Sequence, residues 1–284
     1  PGRPEIQAER PRRVGSYDAT GGDGGDIGDR QARPGVQADR ESGAPLGDAR
    51  DAPAAEHGAA AGVGAFFSSY DFFQTSTFWE WAVANVGAGA SLQRVAGEAD
   101  HPGINAMRTG TTAGGSVQFS AGTSGATTAP NNSIRLGTRA WRGLGIIRVP
   151  VLSTAIEEYI FRLGFADQTT SGARTLNNGS WWEYDRTLSA NWLLVNMVAG
   201  VRGQVDTGIA VTAAQWEKLE VSIDAAAANA TFLRNGVQVG QIAGPPSGAG
   251  REVGFTAAMM KTVGVTARDL DIDYIELQGS GIVR

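Results

Sequence analysis

Residues 231–239 read TFLRNGVQV, and the Asn-Gly pair at their centre is typical of a two-residue β-hairpin turn. Such a turn pairs Arg234 with Val237 and Phe232 with Val239. The apolar residues Phe232, Val237 and Val239 should then share one face. The stretch therefore predicts two antiparallel strands with one apolar side.

Alternation with a period of two recurs before this hairpin. In residues 159–165 (YIFRLGF), the aromatic and leucine side chains occupy every second position. In residues 218–224 (KLEVSID), Leu219, Val221 and Ile223 do the same. Short alternating runs at roughly ten-residue spacing are typical of a β-sandwich or barrel, so the sequence predicts an all-β fold.

The beginning of the chain has a different composition. All seven Trp and all ten Phe lie at or after Phe66, whereas residues 1–65 are rich in Gly, Pro, Asp, Arg and Ala. Ordering a chain costs about 1–2 kcal/mol per residue, and a segment so poor in aromatic residues cannot offset that cost by burying its own surface. We therefore expect an extended, non-globular arm and joint over 1–65, followed by a β-sandwich domain over 66–284.

The few large apolar residues of the arm are expected to anchor it on other copies of the chain or on a different protein. These predicted contact residues are Ile6, Val14, Tyr17, Ile27, Val36 and Leu46. The alternative is that the segment is a solvated linker. Within it, residues 20–30 (TGGDGGDIGDR) are interpreted as a flexible acidic bend, because a calcium-binding repeat needs stacked copies.

Charge and composition exclude several classes of protein. The formal net charge is −5 and the pI is about 5.2, which argues against a nucleic-acid partner. The chain has no cysteine, so neither disulfides nor thiol catalysis are expected. No apolar run reaches about 18 residues, so membrane insertion is not expected. His57 and His101 are far apart, and we expect no metal site and no histidine-based triad.

Four stretches in the second half of the chain carry a resemblance to a known family. They are 181–187 (WWEYDRT), 206–224 (DTGIAVTAAQWEKLEVSID), 230–240 (ATFLRNGVQVG) and 261–277 (KTVGVTARDLDIDYIEL). In this order they resemble the concanavalin A-like (laminin G-like) jelly-roll domains of bacteriophage virion proteins. The resemblance runs from about Phe66 to Leu277, and it implies a concanavalin-like antiparallel β-sandwich (jelly roll).

The same resemblance implies a role on the virion surface, as a capsid decoration protein, a head spike or a tail fibre. The protein would then be non-enzymatic and would join the virion in the host cytoplasm. Its partners would be copies of itself, with a trimer expected, and another virion protein such as the major capsid protein. Two other hypotheses stay open: a carbohydrate-binding module of a tail fibre or adhesin that contacts a host-surface glycan, and a polysaccharide-cleaving enzyme.

An acidic pair within WWEYDRT bears on the choice between these hypotheses. Laminarinase-type glycoside hydrolases share the concanavalin-like fold and carry Glu-x-Asp-x-(x)-Glu on one strand. This chain is similar at Glu183 and Asp185, but Thr187 and Leu188 stand where the second glutamate should be. Retaining hydrolysis needs that second carboxyl group to protonate the leaving group, so no catalytic residue is expected.

Binding does not require the missing glutamate. In a strand, Trp181, Glu183 and Asp185 point to one face, and sugars stack on aromatic rings while carboxylates bind their hydroxyl groups. These three residues are therefore the candidate glycan-binding set. The alternative is that the two acids pair with Arg162, Arg186 or a neighbouring subunit.

A second acidic pattern lies near the end of the chain. In residues 269–274 (DLDIDY), Asp269, Asp271 and Asp273 alternate with apolar residues. Several carboxylates could bind Ca²⁺, but alternating acids more often form a solvated face that discourages edge pairing. We favour the solvated face, so neither a metal nor a cofactor is expected.

Overall fold

The computed structural model describes residues 66–71, 81–121, 134–167 and 176–280. The described residues form β-strands, turns and loops, without a helix. Within these ranges, accordingly, no helix is long and apolar enough to cross a membrane. The arm and its predicted contact residues lie outside the described residues, so the division of the chain at residue 65 stays a prediction.

Fifteen strands are described. In chain order they are β1 (Phe66–Asp71), β2 (Trp81–Val86), β3 (Ala90–Arg94), β4 (Asn105–Thr109), β5 (Ser116–Ala121), β6 (Trp141–Arg148), β7 (Tyr159–Ala166), β8 (Gly179–Asp185), β9 (Asn191–Val198), β10 (Val201–Ala210), β11 (Trp216–Ile223), β12 (Asn229–Arg234), β13 (Val237–Ala243), β14 (Gly254–Lys261) and β15 (Asp269–Gly279).

The strands form two antiparallel sheets. Sheet A has the order β13-β12-β11-β6-β15-β4-β3, and β1 also pairs with β15. Sheet B has the order β10-β9-β8-β7-β14-β5-β2. The two sheets pack face to face, and the fold is the concanavalin-like β-sandwich that the sequence predicts.

The main core lies between the sheets, and it confirms the predicted alternation. All four residues of the apolar face of β7 are fully buried, and so are those of β11. Trp182 of sheet B contacts Phe232 of sheet A edge to face, with the ring centroids 5.7 Å apart. The Trp182 indole N–H also donates to the backbone carbonyl of Glu220 at 2.9 Å, so the sheets are joined by a hydrogen bond as well as by packing.

The Asn-Gly hairpin is present, but its predicted register is only partly right. Arg234 pairs with Val237, as expected, whereas Phe232 pairs with Gly240 because a β-bulge follows it. The prediction that Phe232 pairs with Val239 is therefore wrong. The prediction that Phe232 and Val237 share one apolar face is also wrong, since Phe232 is fully buried and Val237 is exposed.

Strand β15 connects three partners within sheet A. It pairs with β4 over Asp269–Ile272, with β6 along most of its length, and with β1 from Tyr274 onwards. The register with β6 shifts between Ile272 and Tyr274, which is where β1 takes the place of β4. All described residues lie within the unit Gly58–Arg284.

Candidate functional site

The candidate site is built around Glu183, on the face of sheet B that points away from the main core. Arg162 lies directly opposite Glu183 on the neighbouring strand β7. Its Nε donates to Glu183 Oε2 at 2.8 Å, and the indole N–H of Trp181 donates to the same oxygen at 3.0 Å. Arg202 on β10 reaches across β9 and donates to Glu183 Oε1 at 2.7 Å. One carboxylate thus joins three strands, β7, β8 and β10.

These partners fix the protonation state of Glu183. Burial raises the pKa of the carboxyl group, but the positive charge of Arg162 and the hydrogen bond and charge of Arg202 outweigh it, so the pKa lies below its usual value. Glu183 is therefore ionised at neutral pH. A general acid has to carry a proton at working pH, and this glutamate does not.

Asp185 stabilises the turn at the end of β8. Its Oδ1 accepts hydrogen bonds from the backbone N–H of Thr187 at 3.0 Å and from the Thr187 hydroxyl at 2.6 Å. The backbone carbonyl of Asp185 accepts from the N–H groups of Leu188 and Ser189. This is the pattern by which Asp stabilises a tight turn, here the turn into β9.

Trp181 packs in a second apolar cluster on the same face of sheet B. Its neighbours in this cluster are Ala166, Leu176, Leu193, Val195 and Met197. The guanidinium of Arg162 lies 5.6 Å from the centroid of the Trp181 ring, a distance that allows a cation–π contact.

The structure thus brings Trp181, Glu183 and Asp185 to one face, as the sequence predicts, and it gives each of them protein partners. Their exposed fractions are 1%, 1% and 5%. A sugar can stack only on an accessible ring, so glycan contact through these three residues stays a prediction that requires them to become exposed. The pairing of Glu183 with Arg162 was the alternative expected from the sequence; its second partner, Arg202, was not anticipated.

A second polar cluster lies on the outer face of sheet A, and the sequence did not predict it. The hairpin tip between β3 and β4 carries His101, whose ring stacks on that of Trp216 with the centroids 4.1 Å apart. His101 Nδ1 lies 2.8 Å from Asp273 Oδ2. Arg148 lies over the Trp216 ring, 4.6 Å from its centroid, and it binds Glu98 and Asp271.

The expectation that the alternating aspartates form a solvated face is corrected by these contacts. Asp269 binds Arg108 through two hydrogen bonds of 2.7 and 2.8 Å, and Asp271 is buried against Arg148. Burial raises the pKa of Asp271, which the bond from Arg148 opposes. Cross-strand cations therefore occupy these carboxylates, and across the described ranges no three His, Cys, Asp or Glu side chains converge to hold a metal ion.

The fold and these contacts define a concanavalin-like β-sandwich in which Glu183, Asp269 and Asp271 are engaged in ion pairs. The model of the family "SO2946-like, C-terminal domain" matches residues 100–273, more than half of the chain, and the chain belongs to this family. Among curated proteins, no relative matches the sequence.

Several solved structures are similar. The protein of unknown function SO2946 from Shewanella oneidensis MR-1 is 15% identical with a TM-score of 0.57, over 79% of this chain and 91% of that one. At this identity the likeness establishes the shared fold. The carbohydrate esterase vb_24B_21 of the Shiga toxin-encoding bacteriophage phi24B is 13% identical with a TM-score of 0.47, over 75% and 97% of the two chains. The carbohydrate recognition domain of Emp47p is 12% identical with a TM-score of 0.49, over 75% and 95%.

Proposed function

We propose that the chain is a non-enzymatic structural protein of a bacteriophage particle, of the capsid decoration or head-spike type. Residues 1–65 attach it, and the sandwich is displayed outward, where it stabilises the particle or contacts the host surface. Its partners are other copies of the chain and another virion protein such as the major capsid protein. Its location is the virion, which is assembled in the host cytoplasm.

The observation that carries the non-enzymatic part of this proposal is the environment of Glu183. A carboxylate that two arginines hold in its ionised form stabilises the sheet, and it can neither donate a proton to a leaving group nor approach a sugar from within its ion pairs. Asp185 is likewise occupied by the Thr187 turn. This structural use of the acidic pair supports a display and assembly role over a hydrolytic one.

The attachment part rests on the composition of residues 1–65. With no Trp and no Phe before Phe66, this segment has few side chains with which to build a core of its own. An extended arm spreads its contacts over a neighbour's surface and ties subunits together without a large globular interface. The resemblance of the remaining residues to phage jelly-roll domains supports a virion as the place where this attachment occurs.

Deletion of residues 1–60 tests the proposal, because β1 begins only at Phe66. We expect the truncated protein to keep the urea midpoint of the full chain and to lose co-sedimentation with purified phage particles. The matched control replaces residues 1–60 with a Gly/Ser-rich segment of equal length, which should also fail to attach. Normal attachment of either variant would overturn the role of the arm.

A second candidate function is glycan recognition, and the cluster around Trp216 favours it. This partly exposed indole lies beside the carboxylate of Glu98 and the guanidinium of Arg148, which together supply the kinds of group that sugar sites use. Because His101 and Arg148 already contact the ring, a sugar could stack on it only if one of them moves. Binding on a glycan array that is lost in Trp216→Ala would favour this function. Release of reducing sugar that disappears in Glu183→Gln would instead favour an enzyme.

A further inference from the structure

Among the described residues, no further strand pairs with the edge of sheet B formed by β10, which pairs only with β9. Its residues are exposed or partly exposed from one end to the other, including Val201 at 73% and Val205 at 46%. Natural proteins usually protect such an edge, because its unpaired N–H and C=O groups can pair with another strand.

The turn before β10 determines which backbone groups point outward. Ala199 and Gly200 have φ angles of 50° and 80°, which are typical of a two-residue type I′ hairpin. In such a hairpin the residues flanking the turn, Val198 and Val201, form a hydrogen-bonded pair, and every second pair after them does so too. The backbone groups of Arg202, Gln204 and Asp206 therefore point away from β9, towards the open edge.

The side chains of these same residues carry complementary charges. Arg202 is a cation at one end of the strand, where its guanidinium donates to Glu183 Oε1 at 2.7 Å and to the side-chain oxygen of Gln204 at 2.7 Å. Asp206 accepts hydrogen bonds only from neutral groups among the described residues: the Ser189 hydroxyl, the Asn191 amide and the Gly208 N–H. The other end thus keeps a negative charge, about 13 Å along the strand.

We propose that β10 pairs antiparallel with β10 of a second copy of this chain, about a two-fold axis at Gln204. In this register Arg202 lies opposite Asp206 of the second copy, and Asp206 lies opposite the second copy's Arg202. Gln204 lies opposite its own equivalent. These three pairs use the outward-pointing backbone groups, and each exchanges two backbone hydrogen bonds.

The shape of β10 fits the same register. The pairing with β9 is regular from Val201 to Asp206, and it then shifts so that Ala210 is the next paired residue. The regular stretch contains the five residues from 202 to 206 that the two-fold pairing uses. On the opposite face of the strand, Val205 meets Gly203 of the second copy, which has no side chain to obstruct it.

Pairing of the two β10 strands forms a single sheet that continues through both copies. Such a contact uses the same surface on each subunit, so by itself it builds a closed dimer. The trimer expected from the sequence would need a separate contact.

A chain without cysteine allows a direct test by introduced disulfides. In a hydrogen-bonded antiparallel pair the Cα atoms are about 5.5 Å apart, within the range of about 4.4–6.8 Å that a disulfide spans. We expect the full chain carrying Gln204→Cys to form a disulfide-linked dimer under mild oxidation. The matched control is Val237→Cys on the edge of sheet A, which is 69% exposed and should stay unlinked. Equal crosslinking of the two variants, or no crosslinking of the Gln204→Cys variant, would overturn the proposal.

The mass in solution gives an independent test. Gln204→Pro removes an N–H that β9 does not use, so the monomer should fold with an unchanged circular dichroism spectrum while the dimer is lost. Gln204→Ala keeps that N–H and should keep the dimer. Light scattering after gel filtration measures both. A monomeric wild-type chain, or a Gln204→Pro variant with the mass of a dimer, would contradict the two-fold pairing.

Discussion

Trp192 of sheet B donates its indole N–H to the carboxylate of Glu217 in sheet A, with Nε1 and Oε2 2.8 Å apart. Glu217 is buried, and Arg234 on the neighbouring strand binds both of its oxygens, at 2.9 and 3.0 Å. The contact connects the two sheets through a polar group at the margin of the apolar core. These hydrogen bonds form only while the side chains of Trp192, Glu217 and Arg234 keep their positions.

Glu217→Gln should therefore lower the free energy of unfolding. The substitution keeps the volume but removes the charge that Arg234 binds, and a hydrogen bond to a charged group is worth about 2 kcal/mol. Urea unfolding measures the change. The control is Asp269→Asn, in the more exposed pair with Arg108, where we expect less than about 1 kcal/mol. An equal effect at both sites would show that burial does not set the strength of these pairs.

Glu183→Gln should be more damaging still. It leaves the positive charges of Arg162 and Arg202 on one face without the carboxylate between them, and loss of one partner of a buried ion pair costs about 3 kcal/mol. The additional variant Arg202→Gln should recover part of this loss, because it removes one of the two cations that Glu183 binds. Thermal unfolding of the single and double variants checks this. A double variant less stable than Glu183→Gln would refute the explanation.

The stability of the loops at one end of the sandwich should depend on pH through Glu157. Burial raises the pKa of this carboxyl group. Hydrogen bonds from Lys261 and from the N–H groups of Thr266 and Val265 lower the pKa by more, so that it lies at about 2. A lowered pKa adds stability that is fully present above the usual value of 4.5 and is lost as the pH falls towards about 2.

Melting temperatures between pH 7 and pH 2 test this dependence. Glu157→Gln should melt below the wild type at pH 7, because the fully buried Lys261 loses its counter-charge. The difference between the two proteins should shrink between about pH 4.5 and pH 2, where the wild-type carboxylate becomes protonated. A difference that stays constant over this range would mean that Glu157 does not supply the acid-sensitive stability.

Gly143→Ala tests how closely the sheets approach each other. A Cβ atom at position 143 on β6 would lie 2.1 Å from a ring carbon of Phe255 on β14. Phe255 is fully buried, so the ring cannot move aside without disturbing the core. We expect a loss of about 1–3 kcal/mol in the free energy of unfolding. Gly145→Ala on the same strand is the control, since its nearest atom would be a terminal methyl carbon of Leu163 at 3.1 Å, and it should cost less.

Local patterns in the sequence were sufficient to predict an all-β fold, and the resemblance to jelly-roll domains favoured a sandwich over a barrel. Alternation in β7 and β11 identifies the faces that become the core, because a strand places successive side chains on opposite sides. The Asn-Gly turn was equally local, and its position is confirmed. The bulge after Phe232 was not predictable in the same way, since the turn pattern does not show that Val239 is an extra residue in β13.

The polar contacts were harder to predict because they are distant in sequence. His101 and Asp273 are 172 positions apart, and only the order of strands in sheet A brings them together. Arg202 shows the same difficulty, because it reaches Glu183 across an intervening strand. The alternation in DLDIDY correctly places the three aspartates on one face. Whether that face is exposed to water or covered by arginines depends on the neighbouring strands, and the pattern of one strand does not show which strands those are.

The three-way pairing of β15 bears on how the protein is made. Phe66 in the first strand of the sandwich pairs with Gly279, more than 200 residues later. At translation rates of about 5–20 residues per second, roughly 10–40 s pass between the synthesis of these two residues. During that interval β1 lacks its neighbour, so its backbone N–H and C=O groups stay available for pairing with other strands.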